Sequence, residues 1–338
     1  MDNKKFYIIG RTDKIAGIGA LAGSALTHIA YAFDNNLIPV VDLQHYKNQY
    51  FKDNRTYKDN TWEYFFKQPA GYNLNDISQD SDCIISDNIF TSEPKYALGC
   101  HHLPVKSFKS QDERINNLHD KFHEYLKFND EMQNYVENRY NDIVANNKNI
   151  LGVLVRGTDY IIKKPKGENI NPSPKTVIRK VEQFLKKHSD ISKIYIATED
   201  ENIFQMFKNK FGDMLIDNNQ YRYTYNKKEK KFLVDIKIDR PNHNYELAKE
   251  YLASLYILSK CKYFIGGRCS GTKTAWILSE GWDDVFIWDL GKYGKCKYNP
   301  IKYIFELTNK YDENMQKYKE LTILGLKFKL RRKNPRNK

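Results

Sequence analysis

The sequence predicts an α/β protein made of two Rossmann-like α/β domains, and three observations carry that expectation. Through the second half, short β-rich runs alternate with helical patterns at the spacing of a parallel, doubly wound sheet. The first half opens on a strand, a glycine-containing loop, a helix and a second strand. At 338 residues the chain is also longer than one ordinary core, which stops growing at about 250 to 300 residues.

Taken in order, Phe6 to Ile9 is the first expected strand. A loop with Gly17, Gly19 and Gly23 follows, then a helical stretch to Phe33 and a second strand, Leu37 to Val41, ended by Asp42. Residues 46–80 are polar and aromatic without a clear period, whereas 111–147 is charged, helix-favouring and lacks Gly and Pro. The junction falls near Asn146 to Asn149. This gives an N-terminal domain over 1–148, a second domain over 149–310, and a C-terminal helix with a basic tail over 311–338. Strands of the second domain are expected at Ile150 to Val155, Ile194 to Ala197, Tyr263 to Ile265 and Val285 to Trp288. Between the first two, Ser173 suits an N-cap and Pro174 the first helical position, and Val177, Val181, Phe184 and Leu185 form one apolar stripe. Asn244 to Lys260 repeats the pattern with Leu247, Tyr251, Leu255 and Leu258, and the lysine-rich YNKKEKK segment before it reads as a hairpin or loop.

Hydrophobic residues make up 41% of the chain, enough to bury globular cores. No apolar run approaches the roughly 20 residues of a membrane helix, and the first residues lack a signal-type apolar region, so a cytoplasmic protein is expected. Five cysteines (Cys83, Cys100, Cys261, Cys269, Cys296) without a C-x-x-C pair indicate free thiols rather than disulfides or zinc. The net charge of +13 calls for an anionic partner: nucleic acid, an anionic membrane surface or a phosphorylated small molecule. Over half of that excess sits in the final KFKLRRKNPRNK, which carries seven basic residues and no acid.

Three expected strands end in residues suited to a ligand. GVLV leads into Arg156, Gly157, Thr158 and Asp159. Ligands of open α/β sheets bind beyond the carboxyl ends of strands, and a guanidinium there can grip phosphate oxygens in a fork. An Arg–Asp pair closing a surface turn fits the same residues equally well. Ile194 to Ala197 leads into Thr198, Glu199 and Asp200, where capping of the next helix by Asp200 is the simpler reading. Tyr263 to Ile265 leads into Gly266, Gly267, Arg268, Cys269, Ser270, Gly271 and Thr272, a glycine-hydroxyl loop at a helix start that offers free N–H groups and the helix dipole to phosphate. Two arginines and no complete Walker motif describe a diphosphate site without a P-loop lysine.

In this order, R-x-T-D at 156–159, A-T-E-D at 197–200 and L-S-x-C-x-Y at 258–263 resemble the motifs of the GDP-fucose fucosyltransferase superfamily, which includes bacterial and core α1,6, α1,2 and protein O-fucosyl enzymes. The resemblance spans residues 150–290. It implies a GT-B-like pair of domains facing across a cleft, inversion at the transferred sugar, and no metal or other cofactor. By position, Arg156 looks like the arginine that holds the donor phosphates, Ser270 like a phosphate-binding serine, and Glu199 and Asp200 like the acidic pair after the strand. Thr158, Asp159, Thr198, Arg268 and Thr272, with Gly17 and Gly19 of the first domain, complete the expected donor side. Glu168 is similar in place to the proposed acceptor base. The sequence departs from the pattern at Leu154 and Gly157, where the family carries His and a second Arg, and at Ser254, where it carries Asp; Arg268 is the candidate replacement for the second arginine. A GDP-sugar donor and a glycan or lipid-linked glycan acceptor of bacterial surface polysaccharide are the partners implied, without nucleic acid. The basic tail, with Phe328 and Leu330 among its cations, fits contact with an anionic membrane and a solvated end equally well.

Other readings are weaker. Asp80-Ser81-Asp82 has the D-x-D form of metal-dependent transferases but follows a polar, loop-like segment. His119 and His123 stand four apart on a charged helix, where a solvated face outweighs a zinc site. Gly17, Gly19, Gly23 and Asp42 approximate a dinucleotide fingerprint, the mark of a nicotinamide-dependent oxidoreductase, with the spacing wrong by one residue. A basic nucleic-acid-binding protein is the non-enzymatic alternative.

Overall fold

The computed structural model describes residues 4–14, 16–87, 91–144, 147–156, 158–216, 219–224, 238–294, 305–311, 317–324 and 326–330. In the first half, β1 (Lys5–Ile9) is followed by α1 (Ile18–Asp34) and β2 (Ile38–Val41), as expected. A further strand, β3 (Asp82–Ile85), pairs on the other side of β1, giving a parallel sheet of order β2-β1-β3. No periodicity announces β3, because it is a four-residue edge strand with Ile85 largely exposed. The charged helical stretch is two helices, α2 (Glu113–Tyr125) and α3 (Asp130–Ile143). They are separated where Asn129 caps the second by accepting the Met132 N–H at 2.7 Å.

The second half runs β4 (Ile150–Leu154), α4 (Thr158–Lys163), α5 (Pro174–Lys187), β5 (Lys193–Ala197), α6 (Glu201–Phe211), β6 (Leu215–Ile216), α7 (His243–Lys260), β7 (Tyr263–Gly267), α8 (Ser270–Leu278) and β8 (Asp284–Trp288). Its five strands are all parallel in the order β6-β5-β4-β7-β8. The chain steps outward from β4 on one side and then returns to lay β7 on the other. The direction of winding therefore reverses between β4 and β7, the place where open α/β sheets leave a crevice. Ser173 caps α5 as expected, accepting the Thr176 N–H at 3.3 Å.

One apolar core lies on the face of this sheet that carries α5 and α6, with Val153, Val177, Val181, Ile196 and Phe207. The other face shares a continuous core with the first half, in which Leu26, Ile29, Trp62 and Phe122 join Leu255, Phe264 and Trp276. Both parallel sheets accordingly belong to one compact unit, Met1–Lys164 with Asn169–Gly291. A second unit, Pro165–Glu168 with Lys292–Lys338, holds β9 (Phe305–Tyr311), β10 (Lys317–Ile323) and β11 (Leu326–Leu330) in an antiparallel sheet of order β11-β10-β9. Strands thus replace the helix expected after residue 311, because Leu326-Lys327-Phe328-Lys329-Leu330 alternates with period two rather than 3.6. The YNKKEKK segment, Gly157, Cys296 and residues 331–338 lie outside the described residues.

Candidate functional site

Strand order sets the site. Because β5, β4 and β7 are neighbours, Glu199, Arg156 and Arg268 to Ser270 emerge side by side, and the crevice between β4 and β7 separates Arg156 from the start of α8. Arg156 stacks over the Tyr160 ring with its guanidinium carbon 3.9 Å from the centroid. Its Nε is buried and makes no hydrogen bond to any described group. Burial opposes the charge, yet Glu199, Tyr160, Tyr251 and Cys269 outweigh it and hold the guanidinium more firmly protonated than usual. An arginine kept charged with a donor unspent is poised for an oxyanion.

The helix start beside it offers the same chemistry. Cys269, rather than a serine or threonine, is the N-cap of α8, its sulfur accepting the Thr272 N–H at 3.5 Å. Thr272 is fully buried and donates its hydroxyl to Gly267 O at 2.6 Å, which fastens the strand–helix turn and spends that hydroxyl internally. Ser270, the first helical residue, is half-buried, and no described group bonds its hydroxyl. At Gly271 a side chain would run into the Tyr251 hydroxyl and come within 3.2 Å of Leu154, so glycine lets α8 approach β4 and α7. α1 starts next to α8: a side chain at Gly19 would lie 2.8 Å from the Thr274 hydroxyl and 3.5 Å from Ser270 O. Gly17 is the N-cap of α1 and has open space around its Cα. Neither helix has an acidic residue in its first turn, so two helix N-termini present uncompensated positive ends together.

The remaining expected residues divide. Asp200 is wholly buried and caps α6, accepting the N–H groups of Asn202 at 2.9 Å and Ile203 at 3.3 Å; its role is the capping that the sequence favours. Thr198 is buried and its hydroxyl accepts the Asp200 N–H at 3.3 Å. Glu199 is half-buried and faces Arg156 electrostatically. Arg268 pairs with Asp289 at 2.6 Å and donates to Leu103 O at 3.3 Å, which engages both terminal nitrogens and leaves its buried Nε unspent. Glu168 is exposed and belongs to the second unit. The side chains of Thr158 and Asp159 lie outside the described residues.

Two weaker sequence features take structural roles. Asp82 of the D-x-D tripeptide begins β3 and pairs with Lys5 at 3.4 Å, at the amino ends of the strands and away from the crevice. His119 and His123 are not a solvated face: α2 packs on α8, and the rings reach Trp276 O at 2.9 Å and Ile277 O at 2.8 Å, satisfying terminal carbonyls of that helix. Among the described residues no group of His, Cys, Asp and Glu is placed to hold a metal ion, and no helix is long and apolar enough to cross a membrane. Sequence reasoning missed Tyr160 and Tyr251, and it read Gly271 as part of a phosphate loop rather than as the place where α8 meets Tyr251 and Leu154. It also missed Gln220, which donates to Thr198 O at 2.9 Å and meets Ser254, the residue where aspartate was expected. Tyr251 stood on an apolar helix stripe and read as core; only its position one helix away from a glycine turn could have marked it.

No family model and no curated protein matches the sequence. Among solved structures, the chain is similar to the fucosyltransferase NodZ from Bradyrhizobium, with 13% identity and a TM-score of 0.48 over 82% of this chain and 94% of that one. It is also similar to a point mutant of Arabidopsis thaliana FUT1 in complex with GDP, with 10% identity and a TM-score of 0.48 over 87% of this chain and 72% of that one. POFUT1 in complex with GDP-fucose gives 8% identity and a TM-score of 0.44 over 85% and 98%.

Proposed function

We propose that the chain is a glycosyltransferase whose β4–β7 crevice holds the diphosphate of a nucleotide-sugar donor, GDP-fucose by the motif resemblance, and passes the sugar to a glycan of bacterial surface polysaccharide. The observation that carries this reading is Arg156, charged and with a buried, unspent Nε, at the switch point of the sheet beside the starts of α8 and α1. Charge grows on the diphosphate as the glycosidic bond breaks, and donors fixed in advance at that place stabilise the transition state more than the ground state. Arg156 and the helix N-termini supply the positive charge that a metal ion supplies in other transferases, so the reaction is read as metal-independent. Ser270 is the hydroxyl donor to the same phosphates. Glu168 is proposed to take the acceptor's proton, with the acceptor on the side of the three-stranded sheet.

Arg156→Ala tests the reading. Hydrogen bonds to charged groups contribute about 1.5 to 3 kcal/mol each, so losing a bidentate grip should lower turnover about a thousandfold, with GDP affinity falling less. Arg156→Lys should restore little, since an ammonium lacks the planar fork. If Arg156 only closes a turn with Asp159, the alanine variant will melt earlier yet keep full turnover and GDP binding, and the donor site is then misassigned.

A further inference from the structure

The second unit carries a surface that donor binding leaves unused. The register of β11 on β10 sets Leu326 opposite Ile323 and Phe328 opposite Leu321, and β9 continues the rows with Phe305 and Leu307. With period two, these six side chains share one face of the sheet. Leu321 is half-buried, and the other five are exposed: Leu326 is 67% exposed, Phe305 51% and Phe328 47%, and Leu324 at the adjoining turn is 74% exposed. A contiguous apolar face of this kind marks an interface.

We propose that this face docks on an anionic lipid bilayer, its apolar side chains entering the headgroup boundary while the basic residues of the same stretch of sequence attract the anionic headgroups. Charge decides the occupant. From Lys317 to the end the chain carries nine Lys and Arg against one Glu. Anionic lipid complements that excess, and each added cation strengthens the attachment. A second copy of the same face would instead bring two such clusters together. The outer strand β11 also carries Lys327 and Lys329, which discourage edge-to-edge pairing of copies.

The test uses the full chain and two kinds of vesicle, phosphatidylcholine alone and phosphatidylcholine with phosphatidylglycerol. Co-sedimentation should occur only with the second and weaken as salt rises. The double variant Leu326→Gln, Phe328→Gln should bind at least about tenfold more weakly, because two large side chains no longer leave water. A Phe328→Trp variant gives a readout that does not depend on that pair. The native tryptophans Trp62, Trp276, Trp282 and Trp288 are buried, so quenching by bromine-labelled acyl chains reports position 328. Quenching on anionic vesicles is expected. Binding that is unchanged in the double variant, or binding without quenching, overturns the proposal in favour of headgroup attraction by the tail alone. A dimer that the double variant abolishes assigns the face to a second copy and overturns it as well.

Discussion

At the scale of single residues, the site's carboxylates are told apart by what each already does. Asp200 is spent on capping and Glu199 offsets Arg156, which leaves exposed Glu168 as the base proposed from the resemblance. Glu168→Gln should lower turnover about 10²-fold or more with donor binding near normal, as general-base catalysis contributes about 10² to 10⁴; a variant with full turnover removes Glu168 from the mechanism and moves the role to Glu199. A second residue, His102, bears on acid stability. His102 accepts the Gly99 N–H on Nδ1 at 3.1 Å, a bond that only the neutral ring can make. Burial first, then the cations His101, Arg114, Arg268 and Lys273, push its pKa down to about 3. Below about pH 6.5 the unfolded chain therefore binds a proton that the native ring refuses, so stability falls as pH drops toward 3. Urea melts of His102→Gln between pH 7 and 4 should show a shallower fall than the parent; parallel curves would mean that His102 does not carry it. Arg156 was legible because a strand end and a glycine flag it in sequence, whereas Tyr160 and Tyr251 look like any aromatic residue on a helix until α4 and α7 are folded over β4.

At the scale of elements, strand ends were easier to read than the contacts between helices. Short β-rich runs and a cap locate β4, β5, β7 and α5 within a residue or two, since those patterns are local. Glycines 17, 19 and 23 instead read as a ligand loop. They turn out to begin and line α1, with Gly19 against Thr274 and Gly23 against the buried Lys273 of α8. Nothing local distinguishes a glycine that admits a phosphate from one that admits another helix, because both need the missing Cβ. The histidines of α2 failed for the same reason: their partners, the carbonyls of Trp276 and Ile277, are more than 150 residues away. The packing role makes its own claim. Gly19→Leu should cost about 1 to 3 kcal/mol by forcing α1 from α8, seen as a drop of several degrees in melting temperature. It should weaken GDP binding as well, since the two helix starts separate. A variant of unchanged stability would show that α1 and α8 do not meet so closely.

At the scale of the whole molecule, the partition of the chain bears on where function resides. Every residue that pairs in the two parallel sheets lies between Lys5 and Trp288, and the continuous core under α1, α7 and α8 closes without the second unit. Composition hinted at this only through the basic excess of the tail; the three antiparallel strands before it escaped notice because helix-favouring Lys, Glu and Leu fill them, and alternation over five residues is a short pattern. A chain ending at Gly291 should therefore keep a single cooperative thermal transition. If the crevice between β4 and β7 is the donor site, GDP should stabilise that chain and the full-length protein alike. A ligand at about a hundred times its Kd adds about 2.7 kcal/mol to native stability, a rise on the order of 5 °C for a protein of this size. UDP, ADP and CMP, which lack the guanine, should give smaller shifts. The outcomes separate cleanly. A shortened chain that no longer melts cooperatively would mean that the second unit completes the fold. Normal melting with no response to GDP in either protein would leave the fold intact and remove the donor assignment, while a GDP shift confined to the full-length chain would move part of the nucleotide site onto residues after Gly291.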